Sequence, residues 1–173
     1  MIILLTAPTG TGKTNVSWTL LPKFNEMTFL DCDWFVSRLP FSWDKPEDLA
    51  TSFQALALMI EFHLSQGRQN FVITMTLQMA EHFDQYRHYF EKWNLPIHAF
   101  RLHCDESELT RRIQERDRIE WQKQDELQGA PAAQRRYDEL FPDNSVFQLI
   151  DTTHLTEEEV AVGMLKLIPR SLG

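Results

Sequence analysis

The sequence predicts an α/β fold in which helices cover both faces of a parallel sheet. Five short, β-rich apolar runs alternate with longer segments whose apolar residues recur at helical spacing, which is the pattern of repeated strand-helix units. A length of 173 residues, 43% of them hydrophobic, fits one domain with a substantial core. We therefore expect residues 1–173 to form a single domain with three layers: helix, sheet and helix.

Each expected strand is an apolar run bounded by a turn residue or a charged residue. The five runs are Ile2–Thr6, Thr28–Asp31, Phe71–Met75, Ile97–His103 and Val146–Ile150. Short runs of this kind fit the strands of a parallel sheet, which are buried on both faces.

Helices are expected in the intervals between the strands. The first begins in a glycine-containing loop and runs to about Leu21. Asp44–Pro46 looks like an N-cap with proline in the first turn, and it opens a second helix that Gly67 closes. Pro96 ends the third helical region. The core stripe expected on the second helix is Phe53, Leu56, Ala57, Ile60 and Leu64.

Two capping boxes mark the starts of later helices. Asp105 is paired with Glu108, and Thr156 with Glu159, each directly after a predicted strand. From Arg116 to Pro142 the pattern is polar, with a glycine and a proline near its middle. We expect a mobile insertion there, not a further strand-helix unit.

Charge and cysteine content argue against several classes of partner. The 25 acidic and 17 basic residues give a net charge of −8, which disfavours binding to nucleic acid or to an anionic membrane. Cys32 and Cys104 form no metal or redox motif, and we expect both to be buried. No apolar run approaches the roughly 18 residues that span a bilayer, and Met1–Leu5 is too short for a signal peptide. A cytoplasmic monomer or homodimer is expected.

The segment after the first strand has the features of a phosphate-binding loop. Residues 7–14 match the Walker A spacing, with Ala7 in place of the first glycine. The glycines let backbone N–H groups surround an anion, Lys13 reaches the β- and γ-phosphates, and Thr14 offers a hydroxyl to Mg²⁺. The next helix points its N-terminus at the same phosphates. The predicted nucleotide contacts are Thr9, Gly10, Thr11, Gly12, Lys13 and Thr14.

This loop and three further segments resemble the P-loop kinases, the group that includes shikimate, gluconate and nucleoside monophosphate kinases. The three segments are Phe29–Asp33, Arg101–Arg118 and Leu149–Val160. The resemblance covers nearly the whole chain. It implies a five-stranded sheet of order 2-3-1-4-5, an acceptor-binding region at about residues 34–66 and a lid at about residues 117–142.

The resemblance also assigns roles to two carboxylates at the end of the second strand. Kinases similar to shikimate kinase carry a DxD motif there, so Asp31 maps to the metal and Asp33 to the acceptor hydroxyl. Ligands bind at the carboxyl ends of parallel strands, and phosphoryl transfer needs a held cation and an aligned nucleophile. The alternative is a solvated turn with a helix N-cap.

A cluster of arginines follows the fourth predicted strand. The family uses an arginine pair to stack on adenine and to clamp the phosphates, and Arg112 and Arg116 match that pair at a spacing that shares one helix face. Arg112 is therefore a nucleotide contact and Arg116 a catalytic residue. The alternative is a solvated helix with ion pairs, which we favour for Arg111. Three further arginines lie in or beside the lid: Arg118, Arg135 and Arg136.

The acceptor is less well defined by the sequence. Trp34 and Arg38 lie in an aromatic segment and are candidate acceptor contacts together with Asp33. Thr152 is a weaker candidate for a nucleotide contact. Thr74–Gln78 contains neither an acidic residue nor the glycine pair that binds shikimate in shikimate kinases, which disfavours shikimate as the acceptor.

The resulting hypothesis is a kinase that uses ATP and Mg²⁺ to phosphorylate a hydroxyl or phosphate group of a small molecule. Lys13 and Arg116 stabilise charge, and Asp33 orients the acceptor. Two alternatives stay open: a regulatory ATPase and a catalytically silent nucleotide-binding module. A GTPase switch is disfavoured because the chain has neither an NKxD nor a DxxG motif.

Overall fold

A parallel sheet forms the centre of the computed structural model, which describes residues 1–36, 45–77, 80–142 and 145–169. Its strands are β1 (Ile2–Thr6), β2 (Thr28–Asp31), β3 (Phe71–Met75), β4 (Ile97–His103) and β5 (Gln148–Asp151). Their order is β2-β3-β1-β4-β5, and every neighbouring pair is parallel. The predicted fold class and strand order are confirmed.

Helices cover both faces of this sheet. They are α1 (Lys13–Leu20), α2 (Pro46–Ser65), α3 (Ala80–Glu91), α4 (Glu106–Glu115), α5 (Glu120–Leu140) and α6 (Glu157–Leu167). Short 3₁₀ turns cover Leu21–Lys23 and Cys32–Val36. In the part of the chain that the structure describes, no helix has the length and apolar character needed to cross a bilayer.

The two faces of β1 belong to two separate apolar cores. Ile2 and Leu4 pack into a core that includes residues of α2, α3 and α5. Ile3 and Leu5 pack with residues of α1 and α6 on the other face. All five residues of β1 are buried, because β3 and β4 pair with it on either side. The loop that follows β1 therefore lies at the middle of the carboxyl edge of the sheet.

The first two predicted helices agree with the structure where it describes them. α1 begins inside the glycine-containing loop, and α2 begins at Pro46 with Lys45 as its N-cap residue. Gly67 follows α2 with φ of +83°, a left-handed conformation that suits glycine. The predicted stripe is in the core, with Leu64 partly buried. Asp44 lies outside the described residues.

The last strand and one predicted cap differ from expectation. β5 begins at Gln148 and not at Val146, because Val146 lies in a turn and is 44% exposed. Asp105 is the N-cap residue of α4 but makes no side-chain cap bond, and the capping box predicted there is wrong. Its partner Glu108 accepts hydrogen bonds from two arginines instead. The Thr156 capping box is confirmed, with Glu159 bonded to it in both directions.

The segment predicted as an insertion contains a helix of 21 residues, α5. Pro131 lies inside this helix, although proline cannot donate the usual backbone hydrogen bond. Ala130, Gln134 and Tyr137 are buried and share one helix face, since they follow one another at spacings of four and three residues. Burial of this face outweighs the low helix propensity of glycine and proline.

Candidate active site

The loop between β1 and α1 has the backbone of a phosphate cradle. Gly10 and Gly12 have φ of +95° and +101°, which L-residues with side chains rarely adopt. A Cβ atom on Gly10 would lie 2.4 Å from Leu109 Cδ1, so only glycine fits there. The Thr11 hydroxyl donates to the Pro8 carbonyl at 2.8 Å. The loop is therefore shaped in advance for an anion.

Lys13 lies at the first position of α1, and its ammonium group turns back into this loop. Its Nζ donates to the carbonyl oxygens of Ala7 at 2.6 Å and Pro8 at 3.3 Å. Burial lowers the pKa of Lys13, and the nearby carboxylates of Asp33 and Asp31 oppose that shift. The positive charge is thus held at the mouth of the loop by carbonyl groups, which a phosphate can replace.

Asp31 and Asp33 lie at and just beyond the end of β2, as expected for a DxD motif. Asp31 is buried, and its Oδ1 accepts the Asp33 backbone N–H at 3.0 Å. The Asp33 side chain keeps access to solvent, but desolvation by the surrounding chain raises the pKa of its carboxyl, and the Lys13 ammonium opposes this. Both carboxylates therefore act electrostatically on Lys13, although β3 separates β2 from β1.

The residues predicted to hold Mg²⁺ fit that ion by their chemistry. Thr14 lies in the first turn of α1. Thr74 is the register partner of Asp31, so the side chains of Thr74 and Asp31 point to the same face of the sheet. The Thr74 hydroxyl is fully buried and has no hydrogen-bond partner among the described residues. Mg²⁺ commonly takes one or two protein ligands and keeps several waters. An orphaned hydroxyl beside a carboxylate suits such a hydrated ion.

Arg112 is fixed between the loop and the end of β5. Its Nη1 donates to the Thr11 carbonyl at 3.2 Å and to Thr152 Oγ1 at 3.0 Å, and its Nη2 donates to the Thr152 carbonyl at 2.6 Å. Its Nε donates to Glu108 at 2.7 Å. Arg112 and Thr152, each predicted as a nucleotide contact, are bonded to each other, and their roles toward a nucleotide stay predictions.

Arg116 lies beyond the last turn of α4. It has an extended conformation, with φ of −66° and ψ of 141°, so it does not continue the helix face of Arg112. Its guanidinium binds Glu126 of α5. The expected helix ion pairs are present: Glu108 with Arg112 and Glu115 with Arg111.

Two cavities flank the phosphate loop. The larger, of about 660 Å³, lies between Gly10–Gly12, the end of α4 and the start of α6. It contains Arg112, Arg116 and Thr152 in its wall. The smaller, of about 450 Å³, lies between Pro8, Thr9, the end of β3 and α5. Asp33, the residue predicted to orient the acceptor, lines neither of these two cavities.

Trp34, one of the predicted acceptor residues, lies on the surface. Trp34 is 68% exposed and makes an edge contact with Phe29 at 6.5 Å between ring centroids. It lines neither cavity. Arg38 lies outside the described residues. The ligand roles of Asp33, Trp34 and Arg38 stay predictions.

Two residues near the site were not found from the sequence. The buried Tyr137 hydroxyl is hydrogen-bonded with Thr6 Oγ1 at 3.0 Å and accepts the Leu77 N–H, which ties α5 to the ends of β1 and β3. Glu126 forms ion pairs with two arginines beside the loop. The helical spacing of Ala130, Gln134 and Tyr137 could have indicated the buried face of α5. No local sequence pattern predicts that Glu126 lies near the site.

Comparison with solved structures shows the same fold in two kinases and in an antibiotic resistance protein. The shikimate kinase of Bacteroides thetaiotaomicron superposes with a TM-score of 0.66 at 16% identity, covering 96% of each chain. The gluconokinase of Sinorhizobium meliloti 1021 gives 0.62 at 15% identity, covering 95% of this chain and 91% of that one. A tunicamycin resistance protein of Deinococcus radiodurans gives 0.67 at 15% identity, covering 99% and 97%.

Sequence comparison identifies the family. No curated protein matches the chain with significant similarity. The model of the AAA domain family matches residues 2–140, which include the phosphate loop, the DxD motif and the Arg112–Arg116 segment. The chain therefore belongs to the AAA domain family, and its five-stranded parallel sheet with the Walker A loop after β1 is the fold of the P-loop kinases.

Proposed function

We propose that this protein is a kinase that uses ATP and Mg²⁺ to phosphorylate a hydroxyl or phosphate group of a small molecule. The observation that carries the proposal is that Lys13 in the phosphate loop after β1 and two carboxylates at the end of β2, Asp31 and Asp33, lie at the same carboxyl edge of the parallel sheet. A held cation and an acceptor-orienting carboxylate beside the phosphates are what phosphoryl transfer requires.

In the proposed reaction, the acceptor oxygen attacks the γ-phosphorus while the bond to the β–γ bridging oxygen breaks, and ADP leaves. Lys13 exchanges its loop carbonyls for phosphate oxygens and stabilises the charge of the transferred group. Asp33 orients the acceptor hydroxyl and receives its proton. Arg116 adds positive charge from the wall of the larger cavity, where the nucleotide would bind.

Thr14 and Asp31 would hold the magnesium ion, directly or through water, with the Thr74 hydroxyl bonded to a water of its shell. Bound Mg²⁺ neutralises charge on the β- and γ-phosphates. The remaining nucleotide contacts would be those of the loop backbone from Thr9 to Gly12, with Arg112 and Thr152 fixing the wall behind it.

The smaller cavity has the size for a small-molecule acceptor, although Asp33 does not line it. Its volume of about 450 Å³ lies in the range of small-ligand sites, and it opens beside the loop residues Pro8 and Thr9. The position of Asp31 and Asp33 also favours a kinase over an ATPase. These carboxylates lie at the end of β2 and just beyond it. The described residues at the end of β3 and after it, Thr74 to Leu77, include no carboxylate.

The test is a screen for acceptor-dependent ATP consumption. The acceptor classes are sugars, nucleosides, nucleoside monophosphates and aminoglycoside-type antibiotics. We expect one class to raise turnover and Lys13→Ala to lower it at least about 10²-fold, because a preorganised charge facing the phosphates is lost. Lys92→Ala is the matched control, since Lys92 pairs with Glu61 on the surface. Equal rates for the Lys13→Ala variant and the unmodified protein would contradict the proposal.

A further inference from the structure

Glu126 of α5 binds two arginines at once. Its Oε2 accepts from Arg116 Nη1 at 3.1 Å, and its Oε1 accepts from Arg118 Nη1 at 2.6 Å. The Glu126 side chain is only 12% exposed. Each oxygen of one carboxylate therefore serves a different guanidinium, in a largely buried position where such charge-assisted bonds are strong.

The Glu126 carboxylate lies at the rim of the phosphate loop. Arg116 lines the larger cavity together with Gly10 and Gly12, whereas Glu126 lines the smaller cavity together with Pro8 and Thr9. Both groups act electrostatically on the Lys13 ammonium. The ion pair thus lies between the two cavities, where a terminal phosphoryl group would pass from nucleotide to acceptor.

The first half of α5 is less buried than the second half. The buried residues of this helix begin at Ala130. Before it, Leu127 packs only partly against a small apolar cluster, and Lys123 Nζ donates to the Gln114 carbonyl at 3.2 Å. Trp121 is 66% exposed. The Glu126 ion pairs are therefore among the contacts that hold this half of the helix, and a competing anion would replace them.

We propose that Glu126 is an internal anion that the terminal phosphoryl group of a nucleoside triphosphate displaces from Arg116 and Arg118. This residue thereby sets the discrimination between nucleoside triphosphate and diphosphate. A diphosphate has no group in that position, and the ion pairs stay intact when it binds. A triphosphate brings a terminal phosphate that repels the carboxylate and competes with it for the guanidinium groups, so the ion pairs break when it binds. The inference rests on the proposed function, since it places the terminal phosphate beside Glu126.

The test compares Glu126→Gln with the unmodified protein by titration calorimetry, using a non-hydrolysable ATP analogue and ADP, each with Mg²⁺. We expect the ratio of the affinity for the analogue to the affinity for ADP to rise about 5- to 10-fold in the variant, because the analogue no longer displaces a charged competitor. Glu139→Gln makes the same charge change on an exposed part of α5 and should leave the ratio unchanged. An unchanged or lower ratio in Glu126→Gln overturns the inference.

Glu126→Asp provides a second variant in case Glu126→Gln does not fold. Its carboxylate is one methylene shorter and cannot bridge both arginines, so we expect a smaller rise in the same ratio, and an unchanged ratio overturns the inference.

The two proposals, the kinase activity and the role of Glu126, fail in different ways. If the unmodified protein binds the analogue but phosphorylates no acceptor, the kinase proposal fails while the ratio still decides the role of Glu126. If it binds neither nucleotide, both are overturned.

Discussion

At the residue scale, Asp33 combines an accessible carboxyl group with a pKa that desolvation raises. Its ionised form would orient the acceptor, so we expect activity to fall as the pH drops through this pKa. The acid limb of the profile should lie above the range of an ordinary aspartate, which is about 3.9.

Asp33→Asn should remove that limb and lower kcat/KM at least about 10²-fold, because the amide cannot accept the proton. The measurement is the pH profile of kcat/KM with the acceptor found in the screen. Asp84→Asn, an exposed change on α3, is the matched control. A variant that keeps both the rate and the acid limb would show that Asp33 has no part in the reaction.

At the element scale, α5 depends on one buried phenol. Tyr137→Phe leaves the Leu77 N–H without its acceptor and Thr6 without its partner, so we expect a loss of about 1–3 kcal/mol in the free energy of unfolding. Denaturant unfolding measures it. Tyr89→Phe on α3, where the ring is half-buried, is the control and should change stability much less. Equal stability of the two variants would mean that the phenol does not anchor α5.

The bounds of most strands can be predicted from local sequence, whereas the start of β5 and the cap of α4 cannot. The bounds of β1 to β4 follow from buried apolar runs with polar ends, and these agree residue for residue with the structure. β5 begins later than predicted because Val146, although β-branched, lies exposed in a turn. The Asp105 cap fails because Arg111 and Arg112 compete for Glu108. The first error reflects exposure, which a short apolar run does not report, and the second reflects competition between two uses of one carboxylate, the cap and the ion pairs.

At the scale of the whole molecule, an acidic chain with a net charge of −8 carries a cationic group at the centre of its sheet edge. The sequence located the phosphate loop and the acid pair, because both are short motifs directly after strands. It also suggested that Lys13 and a cluster of arginines, Arg112, Arg116 and Arg118, face one nucleotide. In the structure, Glu126 pairs with Arg116 and Arg118, and this could not be predicted without first recognising α5.

The most direct test of phosphoryl transfer follows the γ-phosphorus of Mg²⁺-ATP by ³¹P NMR in the presence of pooled acceptors. We expect its resonance to be replaced by a new phosphate ester or anhydride signal on an acceptor, and this signal to be absent with Lys13→Ala. Orthophosphate as the only product, formed at the same rate with and without acceptors, would contradict the account and identify an ATPase. An unchanged ATP spectrum with every acceptor would contradict it as well.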